Sequence, residues 1–511
     1  MKNNFREHVS TLLLIIGIQT TLSAKILAFL PIPWRSHHFV YRSLIGGLAA
    51  RGHQIDFYTP LPIENGPPNL NQIQVKDRLD DASGERSLTC FTLFSDATNF
   101  DRLQVYTELI NSDKKYDLVI TEYPLASEFS AYLSHKFKAI NVAVMGYLDH
   151  PWTNEIAGLP DNPSYMISYQ AKTNDRMSFG ERLFNTYTLV SMIALCYWET
   201  MTRQQEFADT FLKYEGWEGR PKLTEAISDV DLILVNTHLS MGYAYPKAPH
   251  VKEIGGIHIT TTPEPMSKEL KRFMDEATHG VIYFSLGSVV DASEMLKDGK
   301  AQIMINVFKR LKHRVVWKTQ PGLPEVNEKN ILTSHWLPQQ AILAHKNTKL
   351  FITHGGLQSM VETIAYGVPT VGMPVFFDQF KDVKLMTTVG MGLQLNYNNI
   401  TEDSVYWTIN EVLTNPSYRL KAAKQKALFH DRPMKPVDEA VYWIEYVLRH
   451  DKVLQPASAR MPFYQLYLLD VLAFILLSSL LILYILKKII RAVRLIFSEP
   501  SDGCPVKKKV E

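Results

Sequence analysis

The stretch KLFITHGGLQSMVE, residues 349–362, constrains this chain more than any other. It reads as an apolar strand over residues 350–353, a turn of His354, Gly355 and Gly356, and a helix opened by Gln358 and Ser359. Glycine lets a backbone turn sharply and come close to a ligand. The free N–H groups and positive dipole end of the helix suit a phosphate. A strand that feeds a glycine turn and then a helix is the seed of a doubly wound α/β sheet. Alone it is only a generic anion site. The wider segment, residues 336–379, adds WLPQQ before the strand and VFFDQ after it. Its polar residues fall almost entirely at element ends, where such sheets hold ligands.

The chain has 511 residues, which predicts two domains with appendages. A hydrophobic content of 46% against 21% charged residues is enough for a large core. The net charge of +2 suggests no nucleic-acid or acidic-polymer partner. The first α/β unit opens with a strand at residues 25–30, a helix at 39–50 ended by Gly52, and a strand at 53–58. Further strands fit at 118–121, 139–144 and 232–235. A long helical stretch, 178–214, is strongly apolar at 189–198; it covers a pocket, touches a membrane surface, or packs as an ordinary helix. A polar linker with Pro263 and Pro265 precedes the second unit, whose strands fit at 281–285, 314–317, 350–353 and 370–373. Late helices at 417–430 and 436–448 are expected to end this unit and cross back to brace the first.

The two ends read as addresses. Lys2 and Arg6 precede an apolar run at 12–18, a signal-peptide pattern cleaved near Ser23 or Ala24. Residues 463–486 are apolar and long enough to span a bilayer, and Lys487, Lys488, Arg491 and Arg494 follow. The expected topology is a luminal body, a single-pass type I span and a cytosolic tail at 487–511. Asn399-Ile400-Thr401 is a glycosylation sequon. Of three cysteines, Cys504 lies beyond the span. Cys90 and Cys196 are therefore the one pair open to bridging within the body, and two free thiols are favoured.

The match at Trp336, Gln339, His354, Gly355, Gly356, Gln358, Ser359, Glu362, Pro369, Pro374, Asp378 and Gln379 resembles the signature of the UDP-glycosyltransferases. The style is that of the animal membrane-bound branch, nearest to its insect members, and the resemblance covers nearly the whole chain. It implies the GT-B fold, two Rossmann-like α/β lobes facing a cleft, plus a C-terminal transmembrane helix. The lobes would be residues 25–257, binding the acceptor, and 258–450, binding the UDP-sugar. Lys508 and Lys509 then resemble a dilysine signal that holds such proteins in the endoplasmic reticulum membrane; the plainer reading is positive-inside bias.

The resemblance also implies roles. Trp336 would stack on uracil, with Gln339 at the ribose or base edge. Glu362 would accept from the ribose hydroxyls. His354, Gln358, Ser359 and the helix N-terminus, with Gly287, Ser288 and Gly356 at close approach, would meet the diphosphate. Asp378 and Gln379 would hold the sugar hydroxyls. Outside this pattern each has a plainer reading: a Trp after a strand is often core, a helix Glu is solvated surface, and an Asp-Gln pair caps the next helix.

The SHHFVYRSLIGGLAARGH stretch aligns on His37 as general base for the acceptor hydroxyl, with His38 its neighbour. Glu122, in YDLVITEYP, stands where the family usually has Asp and would orient the imidazole; Asp117 sits at the start of that strand. Inverting transfer of a hexose, glucose first, to a small lipophilic acceptor follows, with UDP-sugar as co-substrate and no metal expected. Self-association is left open. The rivals are a catalytically silent membrane-anchored binder of hydrophobic molecules on the same fold, and a transferase acting on lipid or glycoprotein acceptors.

Overall fold

The structure is a computed structural model. It describes residues 23–32, 34–75, 100–123, 127–147, 153–168, 173–288, 291–375, 378–450 and 452–497. Most of the expected signal peptide, as well as Cys90, Cys504, Lys508 and Lys509, lies outside these residues. Two compact units are present, residues 1–459 and 460–511.

The larger unit contains two sheets. The first comprises β1 (Lys25–Phe29), β2 (Gln54–Thr59), β3 (Leu70–Gln74), β4 (Leu118–Glu122), β5 (Ile140–Met145), β6 (Leu232–Val235) and β7 (Val251–Glu253), in the order β3-β2-β1-β4-β5-β6-β7. The second comprises β8 (Val281–Ser285), β9 (Arg314–Lys318), β10 (Ile331–Ser334), β11 (Thr348–Thr353), β12 (Thr370–Gly372) and β13 (Gly392–Gln394), in the order β10-β9-β8-β11-β12-β13. All pairings are parallel. The two sheets thus repeat one winding order. Each reverses its direction of growth once, between β1 and β4 and between β8 and β11. A crevice opens beyond the carboxyl ends of the strands at such a reversal.

The sequence reading lacks β3, β7, β10 and β13, and these four are the sheet edges. An edge strand has one neighbour and is only partly covered, so LNQIQ or GLQ needs no apolar run. Central β4, LVITE, is buried at every residue. Helix α1 (Arg35–Ala50) begins four residues earlier than expected, so His37 and His38 both lie in its first turn. Its Val40, Tyr41, Leu44, Ile45 and Leu48 recur at helical spacing and face the sheet.

Helix α2 (Phe179–Leu195) is opened by a capping box of Ser178 and Glu181. It departs from ordinary packing: Asn185 and Thr188 are buried, whereas Leu183, Phe184, Tyr187 and Val190 are exposed. Cys196, just beyond, is buried. In the second half, α3 (Leu357–Tyr366) follows β11 and α4 (Gln379–Thr388) follows β12. Of the two late helices, α5 (Pro416–His430) packs its Ala422 and Phe429 against Met360, Val361 and Ile364 of the second lobe, and Phe429 also meets Met241 and the His238 ring of the first. Helix α6 (Pro436–Arg449) enters the first lobe's core: Ala440, Val441, Ile444 and Val447 join Leu44, Leu48 and Ile120.

The smaller unit carries α7 (Leu469–Phe497), among the described residues the one helix long and apolar enough to cross a membrane by length and composition. It differs from the expected span of 463–486. Phe463–Leu466 is a separate short helix, and Leu468 at φ 55° breaks the chain before α7. The helix then runs through Lys487, Lys488, Arg491 and Arg494, because lysine and arginine end hydrophobicity without ending helix propensity.

Candidate active site

The two strand reversals build the site. In the first sheet, Phe29 pairs with Thr121, so the turn after β1 and the end of β4 lie level. His37, in the first turn of α1, and Glu122, the last residue of β4, meet there. The Nδ1–H of His37 donates to Glu122 Oε1 in a short hydrogen bond. An ionised carboxylate only accepts, so the proton sits on Nδ1 and the lone pair on Nε2. The His37 side chain is 24% exposed and that of Glu122 only 6%. Burial works against the charged ring, but the charge and hydrogen bond of Glu122 outweigh it, with a smaller push from Asp378. The His37 pKa therefore stands above its ordinary 6.5.

Its neighbour is used differently. His38 is buried, with Nε2 at 2.7 Å from the Ile32 carbonyl and Nδ1 at 3.1 Å from Thr59 Oγ1. Burial lowers its pKa, so it stays neutral and ties the loop after β1 to β2. Asp117 accepts from the Lys25 amide at 2.7 Å, at the opposite end of β4.

In the second sheet Ser285 pairs with Thr353, which sets Gly287 and His354 side by side. The His354 ring lies between two glycines. A Cβ on Gly287 would stand 2.6 Å from His354 Cε1, and one on Gly356 would stand 2.6 Å from Nε2. Burial, then Lys318, pushes the His354 pKa down to about 4, so the ring is neutral. Its Nδ1 is buried with no hydrogen-bond partner. Ser288 is exposed at the lip of the same turn.

Lys318, at the end of β9, and Arg35, in the first turn of α1, were not singled out in the sequence. Lys318 Nζ donates to the Gly287 carbonyl at 3.0 Å and lies 5.0 Å from the centre of the Trp336 ring. Arg35 lies 5.1 Å from the same ring. Burial, then Arg35, lowers the Lys318 pKa. Two cations from different lobes thus converge on one half-exposed indole. The available signal was a lysine ending an apolar strand, RVVWK.

Gln339, Ser359 and Glu362 form one cluster. Gln339 Nε2 donates to Ser359 Oγ at 3.3 Å and to Glu362 Oε2 at 2.6 Å. Gln339 Oε1 accepts from the Tyr283 hydroxyl at 3.1 Å. Glu362 is buried rather than solvated, and also accepts from Gln340 at 3.3 Å. Burial raises its pKa to about 7 against those two hydrogen bonds.

Gln358 reaches the other lobe: its Nε2 donates to the carbonyl of Ser36 at 3.2 Å. The first turns of α1 and α3 therefore touch. Asp378 precedes α4 but does not cap it, contrary to the plainer reading of the Asp-Gln pair. Its backbone is helical (φ −61°, ψ −21°), whereas a capping residue needs extended dihedrals. The Asp378 Oδ2 instead accepts from the Tyr147 hydroxyl at 3.2 Å, across the lobes. Burial raises the Asp378 pKa, opposed by Lys381 and Tyr147. Gln379 is buried and its Oε1 accepts from the Val375 amide at 2.9 Å.

Two doubly wound lobes, each bringing a strand reversal to the same cleft, define the GT-B fold. The chain belongs to the UDP-glucoronosyl and UDP-glucosyl transferase family, whose model matches residues 74–499. It is 34% identical to UDP-glucosyltransferase 2 of Dactylopius coccus, over 93% of this chain and 94% of that one. It is 31% identical to UDP-glucuronosyltransferase 2B1 of Rattus norvegicus, over 65% of this chain and 61% of the relative. Among solved structures, a calicheamicin glycosyltransferase shares the fold with TM-score 0.58 and 16% identity, over 84% of this chain and 100% of that one. The protein is thus a sugar-transferring enzyme of the UDP-sugar type.

Proposed function

We propose that the enzyme transfers glucose from UDP-glucose, with inversion, to the hydroxyl of a small lipophilic acceptor. The observation that carries this is the His37–Glu122 pair, placed beside the turn that Gln358 joins to Ser36. His37 Nε2 takes the acceptor proton while the oxygen attacks C1, and Glu122 steadies the imidazolium that forms. UDP leaves on the opposite face. Its charge falls to the helix α3 N-terminus, to Gln358, Ser359, the neutral His354 ring as a hydrogen-bond donor, and Lys318. Gly287, Ser288 and Gly356 let the diphosphate approach. Trp336 stacks on uracil, with Gln339 beside it; Glu362 accepts from the ribose; Asp378 and Gln379 hold the glucose hydroxyls. No metal is assigned a step.

Glucose is favoured over glucuronate by the long match to a relative named as a UDP-glucosyltransferase. We read residues 25–257 and 258–450 as the acceptor and donor lobes, with α6 returned to the first. We also read the body as luminal, with α7 as a type I anchor in the endoplasmic reticulum membrane. The deciding assay offers UDP-glucose and UDP-glucuronate with a simple phenol. Faster turnover with UDP-glucuronate overturns the glucose assignment, and turnover with neither favours the silent binder.

A further inference from the structure

We propose that Tyr147 is a positioning residue: from the first lobe it sets the Asp378 carboxylate for the donor sugar, so the sugar subsite is complete only when the lobes are apposed. This rests on the reading of Asp378 as a sugar ligand. Tyr147 follows β5 by two residues, 231 positions from Asp378 in sequence. Its hydroxyl donates to Asp378 Oδ2 at 3.2 Å and makes a shorter hydrogen bond with Asp382 Oδ2. One phenol proton is shared between two carboxylates, Asp382 fully buried and Asp378 half-buried, with the shorter bond to Asp382. The compensating charge is Lys381, itself only 3% exposed, with Nζ 4.1 Å from the centre of the Tyr147 ring.

The arrangement has a direct consequence for the donor. The Asp378 carboxylate is held by the phenol and also by the backbone N–H groups of Leu357 and Asp378, so it faces the sugar already oriented. A carboxylate free to rotate offers the sugar no fixed acceptor, and its ordering must then be paid for at binding. Tyr147 does part of that ordering beforehand, from the first lobe, beside the backbone amides of Leu357 and Asp378. In the proposed reading the nucleotide is gripped by Trp336, Gln339 and Glu362, which lie on other elements than Asp378, so the effect is expected on the sugar.

The test is steady-state kinetics on the full-length, membrane-inserted enzyme, with UDP as a product inhibitor. Tyr147→Phe is expected to lower kcat/KM for UDP-glucose by about 10–100-fold, the scale of a misplaced positioning contact, with the inhibition constant of UDP within about two-fold of wild type. Lys381→Met, which loosens the ring and leaves the phenol bond in place, is expected to give a smaller loss of the same kind. It serves where Tyr147→Phe does not accumulate as folded protein. Asp378→Asn is run alongside. If Asp378→Asn is impaired and Tyr147→Phe is not, the positioning role is overturned and the sugar reading stands. If neither changes kcat/KM, both are overturned. Equal losses for UDP and UDP-glucose would show general damage to the cleft and overturn the proposal too.

Discussion

Glu122 reaches His37 with a side chain one methylene longer than the aspartate usual in this family, and still closes the hydrogen bond to Nδ1. Neutral imidazole is the working form of a general base. Because the His37 pKa is raised, activity is present above that pKa and lost as pH falls through it. The acid limb of kcat/KM is expected above pH 6.5. Glu122→Gln removes the charge that holds the proton, so the limb moves to lower pH while the plateau falls by about ten-fold or more. His37→Ala is expected to cost about 10²–10⁴ in kcat, with UDP affinity retained. Unchanged turnover in His37→Ala would remove the base assignment.

In the proposed reading, Trp336 takes the base of the nucleotide and Lys318 its phosphates. Base stacking on an aromatic ring is worth about 1–3 kcal/mol. Trp336→Ala is therefore expected to weaken UDP and uridine alike, by about 5–150-fold. Lys318→Met is expected to weaken UDP and spare uridine. Calorimetric titration of both ligands distinguishes the two. Equal effects of Lys318→Met on both would show that this lysine serves the ring and not the phosphates.

If Glu362 accepts from the ribose as proposed, it should link UDP binding to pH. Its pKa near 7 reflects burial, which disfavours the carboxylate. Ribose hydroxyls donating to it favour the carboxylate, so binding lowers that pKa and expels a proton. UDP affinity should then rise with pH up to about 7, and heats of binding should vary with the ionisation enthalpy of the buffer. Glu362→Gln should abolish its share of the released proton. Identical proton release in this variant would assign the proton elsewhere.

The glycines beside His354 have a structural test. Gly356→Ala puts a methyl 2.6 Å from the ring nitrogen. Overpacking of this kind costs about 1–3 kcal/mol. A lower Tm is expected together with weaker UDP binding, while Gly46→Ala, where an added Cβ meets nothing within 4 Å, should leave UDP binding unchanged. Full UDP affinity in Gly356→Ala would mean that the ring does not face the diphosphate.

What the sequence disclosed follows from where information is stored along it. ILAF of β1 and VIYFS of β8 lie between two strands and under helices, so their apolar runs are unbroken and legible. LNQIQ of β3 and VKE of β7 meet one neighbour and carry no such run. His354 through Glu362 were readable because one strand, turn and helix display them in order. Glu122 was found through its strand end. Tyr147 and Arg35 were not found, since each matters through a partner hundreds of residues away and neither breaks a local pattern. Asp378 was given a helix-capping role as an alternative because dihedral angles are not written in residue types.

Helix α6 has a consequence for how the protein is made. The first lobe's central strands are synthesised by residue 235, yet the core they share with Leu44 and Leu48 also needs Ile444 and Val447. Arg51 likewise waits for Glu445, 394 residues later, to close its ion pair at 2.8 Å. The nascent first lobe must therefore emerge with an apolar flank uncovered and keep it so until almost the whole two-lobed body exists. Folding of the first lobe is last-in as well as first-in, which makes it the half most dependent on a chaperone during synthesis and the half most exposed to a premature stop near the end of the body.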